Sequence, residues 1–392
     1  MLEFRLTVFK EDIMKKRFGV ALVLSMAMVL GACGAKQQAE SVKGTEQKGT
    51  ESSTAAKEES KEADSKAADS KADAGDGKTY KVGILKFMDH PSLNQIEDSL
   101  CEELDSLSES SGAKYEYKEY RLNGEGDASV LNQMTAQLIA DDVDVIVPIA
   151  TPAIQVVQSQ TEGKNIPIVF SAVSDPVSAK LVDSMEKPGG NITGTSDFLN
   201  TDAIMDLIFA QNPEAKKIGL LYSKSEDSSQ QPIAAAKKYL ADKGVEVVEK
   251  TGTTTDEVSQ AVDALIAEKV DAIFTPTDNT IQKAELSFYE KLIKAKIPHY
   301  GGADSFALNG AFAGYGVDYV QLGKATADMV DEVLRQGKDT ATLPVQTFDN
   351  GIATVNTETA EKLGYSLDKI KEAFKPFCTK IVEIQTEKEF KS

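Results

Sequence analysis

Tryptophan is absent from this 392-residue chain, and histidine occurs only twice, at His90 and His299. Two imidazoles leave little material for histidine-based acid–base relays or metal cages. Cysteine is nearly as scarce: Cys33, Cys101 and Cys378 stand at intervals that match no zinc-ligand spacing. The phosphate-binding loop, the GxSxG nucleophile elbow and the dinucleotide glycine fingerprint are missing, which weighs against an α/β enzyme. Basic residues are in deficit, with 43 Lys and Arg against 62 Asp and Glu and a net charge of −19. That balance excludes the usual nucleic-acid binder, which needs clustered Lys and Arg. No apolar run reaches the roughly twenty residues that a membrane-spanning helix requires.

The apolar run that does exist, Phe18 to Leu30, follows Lys15, Lys16 and Arg17 and ends in Leu30-Gly31-Ala32-Cys33. A positive region, about a dozen apolar residues and small residues before the break have the layout of a secretory signal. Small residues followed at once by cysteine resemble the lipobox of bacterial lipoproteins. The resemblance implies that Cys33 receives diacylglycerol on sulfur and becomes the N-terminus after cleavage; the alternative is an ordinary secretory signal with a chance cysteine. Glu3, Glu11 and Asp12 place acid where such signals carry positive charge, so Met14 is the better start. Of the remaining cysteines, Cys101 falls in a predicted helix and reads as a small buried apolar residue rather than a disulfide partner of Cys378.

From Gly34 to about Gly77 the chain is almost only Lys, Glu, Asp, Ser, Ala, Thr, Gly and Gln. Such a segment cannot bury enough apolar surface to offset its ordering entropy, and is expected to be a solvated tether with a reach of roughly 35–40 Å.

From Lys78 onward, β-rich apolar runs alternate with helical patterns. The strands expected are 81–87, 115–120, 144–149, 166–171 and 191–195, then 217–222, 245–250, 271–275, 297–301 and 311–315. Near-continuous Val/Ile runs such as Val143–Val147 fit strands buried on both faces of a parallel sheet. The βαβ alternation predicts an α/β fold with right-handed crossovers and open, doubly wound sheets. Ten strands in some 310 residues exceed what one core usually holds, so two similar lobes are expected. Ligands of open α/β sheets bind beyond the carboxyl ends of the strands, which places a cleft between the lobes.

The segments Ile84–Asn94, Ala150-Thr151-Pro152-Ala153, Ile166–Pro176, Asn191–Asp197, Thr275–Asn279 and Gly314–Tyr319 occur in that order. Together they resemble the substrate-binding lipoproteins of ABC importers, of the type associated with tryptophan and other aromatic amino acids. The resemblance covers roughly residues 79–360. It implies a type I periplasmic-binding-protein fold with hinge strands between lobes. Lobe one would hold 78–197 plus 314–343, and lobe two 198–313 plus 344–392.

Polar residues at strand ends are the candidate ligand contacts. Asp89 and His90 follow the first strand; His90 is a cleft contact or a structural hydrogen bond, with no nucleophile motif beside it. Thr151 would cap a helix whose free N–H groups face the cleft and favour a carboxylate. Ser174, Ser196 and Asp197 serve either as caps and hinge ties or as ligand contacts, and Ser225 offers a hydroxyl from the opposite lobe. An amino-acid ammonium needs a carboxylate, for which Asp278 (with Asn279 beside it) and Asp304 are candidates; Asp278 reads equally as a helix cap. Phe87, Tyr222 and Tyr315 could give aromatic surface or belong to the core.

The function expected is capture of a small solute, with an aromatic amino acid implied by the resemblance, and delivery to ABC permease subunits. The protein would work outside the cytoplasm on a lipid anchor, with no cofactor, metal or nucleic acid. A ligand-sensing lobe for a membrane receptor is the alternative on the same fold. Gly34 after Cys33, with the long tether, fits a Gram-positive cell surface.

Overall fold

A computed structural model describes residues 77–388. The signal-like segment, Cys33 and the tether up to residue 76 lie outside the described residues.

The first sheet contains β1 (Thr79–Lys86), β2 (Lys114–Glu116), β3 (Arg121–Asn123), β4 (Val145–Ile149), β5 (Ile168–Phe170) and β6 (Ile192–Gly194). Its order is β2-β1-β4-β5-β6, all parallel. The run expected as one strand over 115–120 is instead β2, a 3₁₀ turn at Lys118–Tyr120 and then β3. β2 pairs the first half of β1 and β3 the second half, so one edge is built from two short pieces. The second sheet holds β7 (Lys217–Tyr222), β8 (Glu246–Thr251), β9 (Ala272–Thr275), β10 (His299–Gly301), β11 (Ala313–Gly316), β12 (Ile352–Asn356) and β13 (Lys380–Ile384), in the order β13-β12-β11-β10-β9-β7-β8.

Helices follow the strands: α1 (Pro91–Ser111), α2 (Ala128–Ala140), α3 (Thr151–Thr161), α4 (Thr201–Gln211), α5 (Gln230–Asp242), α6 (Thr255–Ala267) and α7 (Asn279–Ala295). After these come α8 (Asp304–Leu308), α9 (Tyr319–Leu334), α10 (Thr357–Leu363) and α11 (Leu367–Phe374). Polar side chains start many of them by taking orphan N–H groups: Asp127 for α2, Asn200 for α4, Thr254 for α6, Asp278 for α7 and Asp318 for α9.

The core follows the apolar pattern. All five residues of β4 are buried, as a strand covered on both faces requires. Ile84, Leu85, Phe170, Ile96, Leu100 and Leu104 are fully buried in the first lobe, and Phe274, Tyr300, Phe312 and Phe374 in the second. Cys101 is buried within α1 and free, with its thiol pushed up to about 12 by burial.

The chain passes between sheets three times. Residues 314–316, grouped with lobe one in the sequence reading, hydrogen-bond in the second sheet as part of β11. Gln346, grouped with lobe two, bridges Thr195 beside β6 in the first sheet. β12 is antiparallel to β11, the one departure from parallel pairing among the described strands. The reason is topological: β11 ends at Gly316, the chain visits the first lobe, and it re-enters at Ile352, opposite Gly316. A chain that leaves and returns at the same end must run back the other way.

Candidate functional site

A cavity lies between the two sheets' carboxyl ends. Its walls come from the first lobe (His90, Ser92, Thr151, Ser174, Asp197) and from the second (Thr277, Asp278, Asn279, Gln282, Ser305, Phe306). Four side-chain hydrogen bonds clasp the lobes together. They join His90 Nε2 to Asn279 Oδ1 at 2.9 Å, Ser92 Oγ to Ser305 Oγ at 2.6 Å, Ser174 Oγ to Thr277 Oγ1 at 3.0 Å and Gln155 Nε2 to Asp227 Oδ2 at 2.7 Å.

Two cavity-wall alanines have left-handed backbone. Ala150 has φ 80° with ψ 152°, and Ala172 has φ 56°. The first lies in a region that is almost glycine-only, and such strain persists where the surrounding fold fixes a site. Ala150, not Thr151, holds the N-cap position of α3, and no side chain caps this helix. The expectation that Thr151 caps the helix is therefore corrected. Thr151 is the first helical residue, it is buried on the cavity wall, and Pro152 follows with no N–H to give. Ala153 N and Ile154 N both donate to Ala150 O, so the uncapped end of α3 meets the cavity with the Thr151 N–H, a favourable place for a carboxylate oxygen.

Asp197 is the carboxylate best placed to meet a cation. It is buried on the cavity wall, accepts from Ser174 Oγ at 3.0 Å and Tyr319 Oη at 3.3 Å, and has no ion pair among the described residues. Burial holds its carboxyl above the usual carboxylate range. Asp278 also reaches the cavity, but its oxygens are committed. They accept from Ser223 N at 2.6 Å, Ser229 Oγ at 2.7 Å and Ile281 N at 3.0 Å, which makes it a helix cap. Burial pushes it up to about 6. Its neighbour Glu226 is pushed up to about 8, first by burial and then by the Asp278 charge.

Several sequence candidates stand elsewhere. Asp89 is largely exposed, in an ion pair with Lys86 at 2.8 Å, and takes Asn123 Nδ2. Ser196 ties hinge backbone through Phe198 N and Ser174 O. Ser225 pairs with Ser223 Oγ and lines a neighbouring groove with Glu226. Asp304 begins α8 without walling the cavity; its buried Oδ1 has no partner and its carboxyl is pushed up to about 6 by burial. Tyr315 is buried in the second lobe with its hydroxyl on the carbonyls of Asn350 and Phe377, and Tyr222 donates to Glu249. The aromatic wall is formed instead by Phe306 and Tyr319. Tyr319 closes the quoted Gly314–Tyr319 segment and so was within reach of the sequence reading. Gln282 and Phe306 carried no sequence signal, because only the α7 and α8 helix phases turn them inward, and Glu226 carried none because it lies in the loop after β7.

Comparison with known proteins agrees with this geometry. Residues 81–374 match the ABC transporter substrate binding protein family. A tyrosine-binding protein of Clostridioides difficile strain R20291 is 34% identical over 302 residues, covering 76% of this chain and 85% of that protein. A Streptococcus pneumonia ABC domain solved in complex with L-Trp is 34% identical with TM-score 0.70, covering 78% of this chain and all of that one. A ligand-free, open substrate-binding protein with adhesive properties from Clostridium difficile is 31% identical with TM-score 0.59, covering 79% of this chain and all of that one. With two α/β lobes closed on a polar cavity and a family match from Lys81 to Phe374, the chain belongs to the ABC transporter substrate-binding proteins.

Proposed function

We propose that this protein captures an aromatic amino acid between its lobes and delivers it to an ABC permease from a lipid anchor outside the cytoplasm. The observation that carries the reading is the cavity's polarity. Asp197 is a buried carboxylate with no cation among the described residues, and the uncapped start of α3 presents the Thr151 N–H on the same cavity. Those two features complement an ammonium and a carboxylate. Phe306, Tyr319 and Leu93 add apolar and π surface for a ring. The ligands named for the pneumococcal and clostridial relatives support the class, and the higher TM-score to the L-Trp complex than to the open structure fits a closed state. Membrane attachment rests on Leu30–Cys33 and the Gram-positive setting on Gly34 and the tether.

Titration of the protein with each of the twenty amino acids by calorimetry tests the reading. Saturable binding confined to tyrosine, tryptophan or phenylalanine is expected. Binding of none of these, or tighter binding of an aliphatic or charged amino acid, refutes the ligand class.

A further inference from the structure

Two buried nitrogen and oxygen atoms of residues lining the cavity have no hydrogen-bond partner among the described residues, His90 Nδ1 and Gln282 Oε1. Both residues are more than nine-tenths buried, with 4% and 2% of their surface exposed. Their neighbours fix what each atom can do. Gln282 spends its amide nitrogen on Asn309 Oδ1 at 3.0 Å, which leaves the carbonyl oxygen as the free end. Asn279 gives its nitrogen to Glu226 Oε2 at 2.9 Å, so its oxygen is what meets His90 Nε2 at 2.9 Å. His90 must then carry its proton on Nε2 and present a bare lone pair at Nδ1. The order survives protonation of Glu226: a proton on Oε1 can go to Thr280 Oγ1 at 3.2 Å, and Oε2 still accepts. Burial keeps the imidazole neutral, its pKa lowered to about 4.

An ammonium needs a counter-charge, and Asp197 holds that role. Two neutral acceptors lining the same cavity, one from each lobe, suit a neutral donor instead. We propose that His90 Nδ1 and Gln282 Oε1 receive a hydrogen-bond donor on the ligand's side chain. The cavity then prefers amino acids with a phenol O–H or an indole N–H to phenylalanine. This inference rests on the aromatic amino-acid reading. Its selectivity comes from the acceptors left unpaired when a donorless ring occupies the site.

The test is calorimetry on the full-length chain with two matched pairs. One is tyrosine against phenylalanine; the other is tryptophan against 3-benzothienylalanine, in which sulfur replaces the indole N–H. The donor-bearing member of at least one pair should bind about tenfold or more tighter. Gln282→Leu should narrow that gap to about threefold or less by weakening only the donor-bearing ligand. The ¹⁵N spectrum of His90 in the wild-type protein gives a readout free of any variant's folding: Nε2 protonated, Nδ1 bare, and the Nδ1 signal shifting when the donor ligand binds. Equal affinities within both pairs, or a proton on Nδ1, overturn the inference while leaving the ligand class standing. Failure of all four ligands to bind overturns the ligand class and this inference with it.

Discussion

A carboxylate sealed from water without a cation is costly, and among the described residues Asp197 sits in that condition, with two hydroxyls as its side-chain donors. Asp197→Asn should weaken an amino-acid ligand by roughly 2–5 kcal/mol, because it leaves the ligand's ammonium buried and unpaired. Thr151→Ala should cost only about 1 kcal/mol, since the backbone N–H at position 151 remains. Calorimetry on both variants checks the ranking, and native affinity in the Asp197→Asn protein would move the ammonium site elsewhere. Glu226 gives a second prediction through pH. Its carboxyl is pushed up to about 8, so the folded state holds a proton that the unfolded chain releases. Its contribution to stability is present at low pH and lost as pH rises towards 8. Asp278 and Asp304 act in the same sense but lower, towards about 6. His90, lowered to about 4, acts oppositely below its ordinary value of 6.5. Between pH 6.5 and 8 the Glu226–Asp278 pair therefore dominates. Ligand-free protein should be more stable at pH 6.5 than at pH 8 by up to about 2 kcal/mol. Glu226→Gln should flatten that slope in thermal melts.

Helices α1 and α9 meet closely enough that one position admits no side chain. A Cβ on Gly323 would lie 2.5 Å from the Ile96 carbonyl oxygen and 2.1 Å from Ser99 Oγ. The hydroxyl could turn away, but the Ile96 backbone is held in its helix. Gly323→Ala should therefore lower stability by about 1–3 kcal/mol despite alanine's better helix propensity. An unchanged melting temperature would show that the two helices slide apart freely. Helix starts divide by purpose at this scale. Asp278 and Asp318 cap α7 and α9 by accepting from Ile281 N and Gln321 N, whereas α1 and α3 begin at the cavity with no side-chain cap. Polar residues after strands were visible in the sequence. Which helix would remain uncapped was not, because that depends on the Ala150 backbone turning to positive φ.

Three crossings connect the lobes, near residues 196–200, 316–319 and 347–351, and side chains facing the cleft clasp them around the cavity. Hydroxyl and amide bonds of this kind exchange readily with water, so the closed state needs a ligand's differential affinity to dominate. Small-angle scattering should show a larger radius of gyration without ligand than with a saturating aromatic amino acid. Identical curves would count against closure by hinge motion. The proposed lipid anchor is a whole-molecule property too. Cys33→Ser should abolish incorporation of labelled fatty acid and leave the protein unprocessed or released, and normal labelling would sink the lipoprotein assignment.

Local pattern was enough for the βαβ alternation, because strand and helix periods are written in consecutive residues. The strands at β1 and β4 to β11, and helices such as α2 and α4, follow directly from it. The number of strands and the length of the globular part also predicted two lobes, and the ordered motifs indicated the family. The edge built from β2 and β3, and the antiparallel return of β12, were not legible, since both depend on where distant strands end. The site divides the same way. Residues at strand ends could be nominated from sequence, and His90, Thr151, Ser174, Asp197, Asp278 and Asn279 do reach the cavity. Their roles were decided only by folding. Whether a carboxylate serves a helix or a ligand depends on which donors surround it, and Asp278 finds three inside its own lobe while Asp197 finds two hydroxyls and no cation.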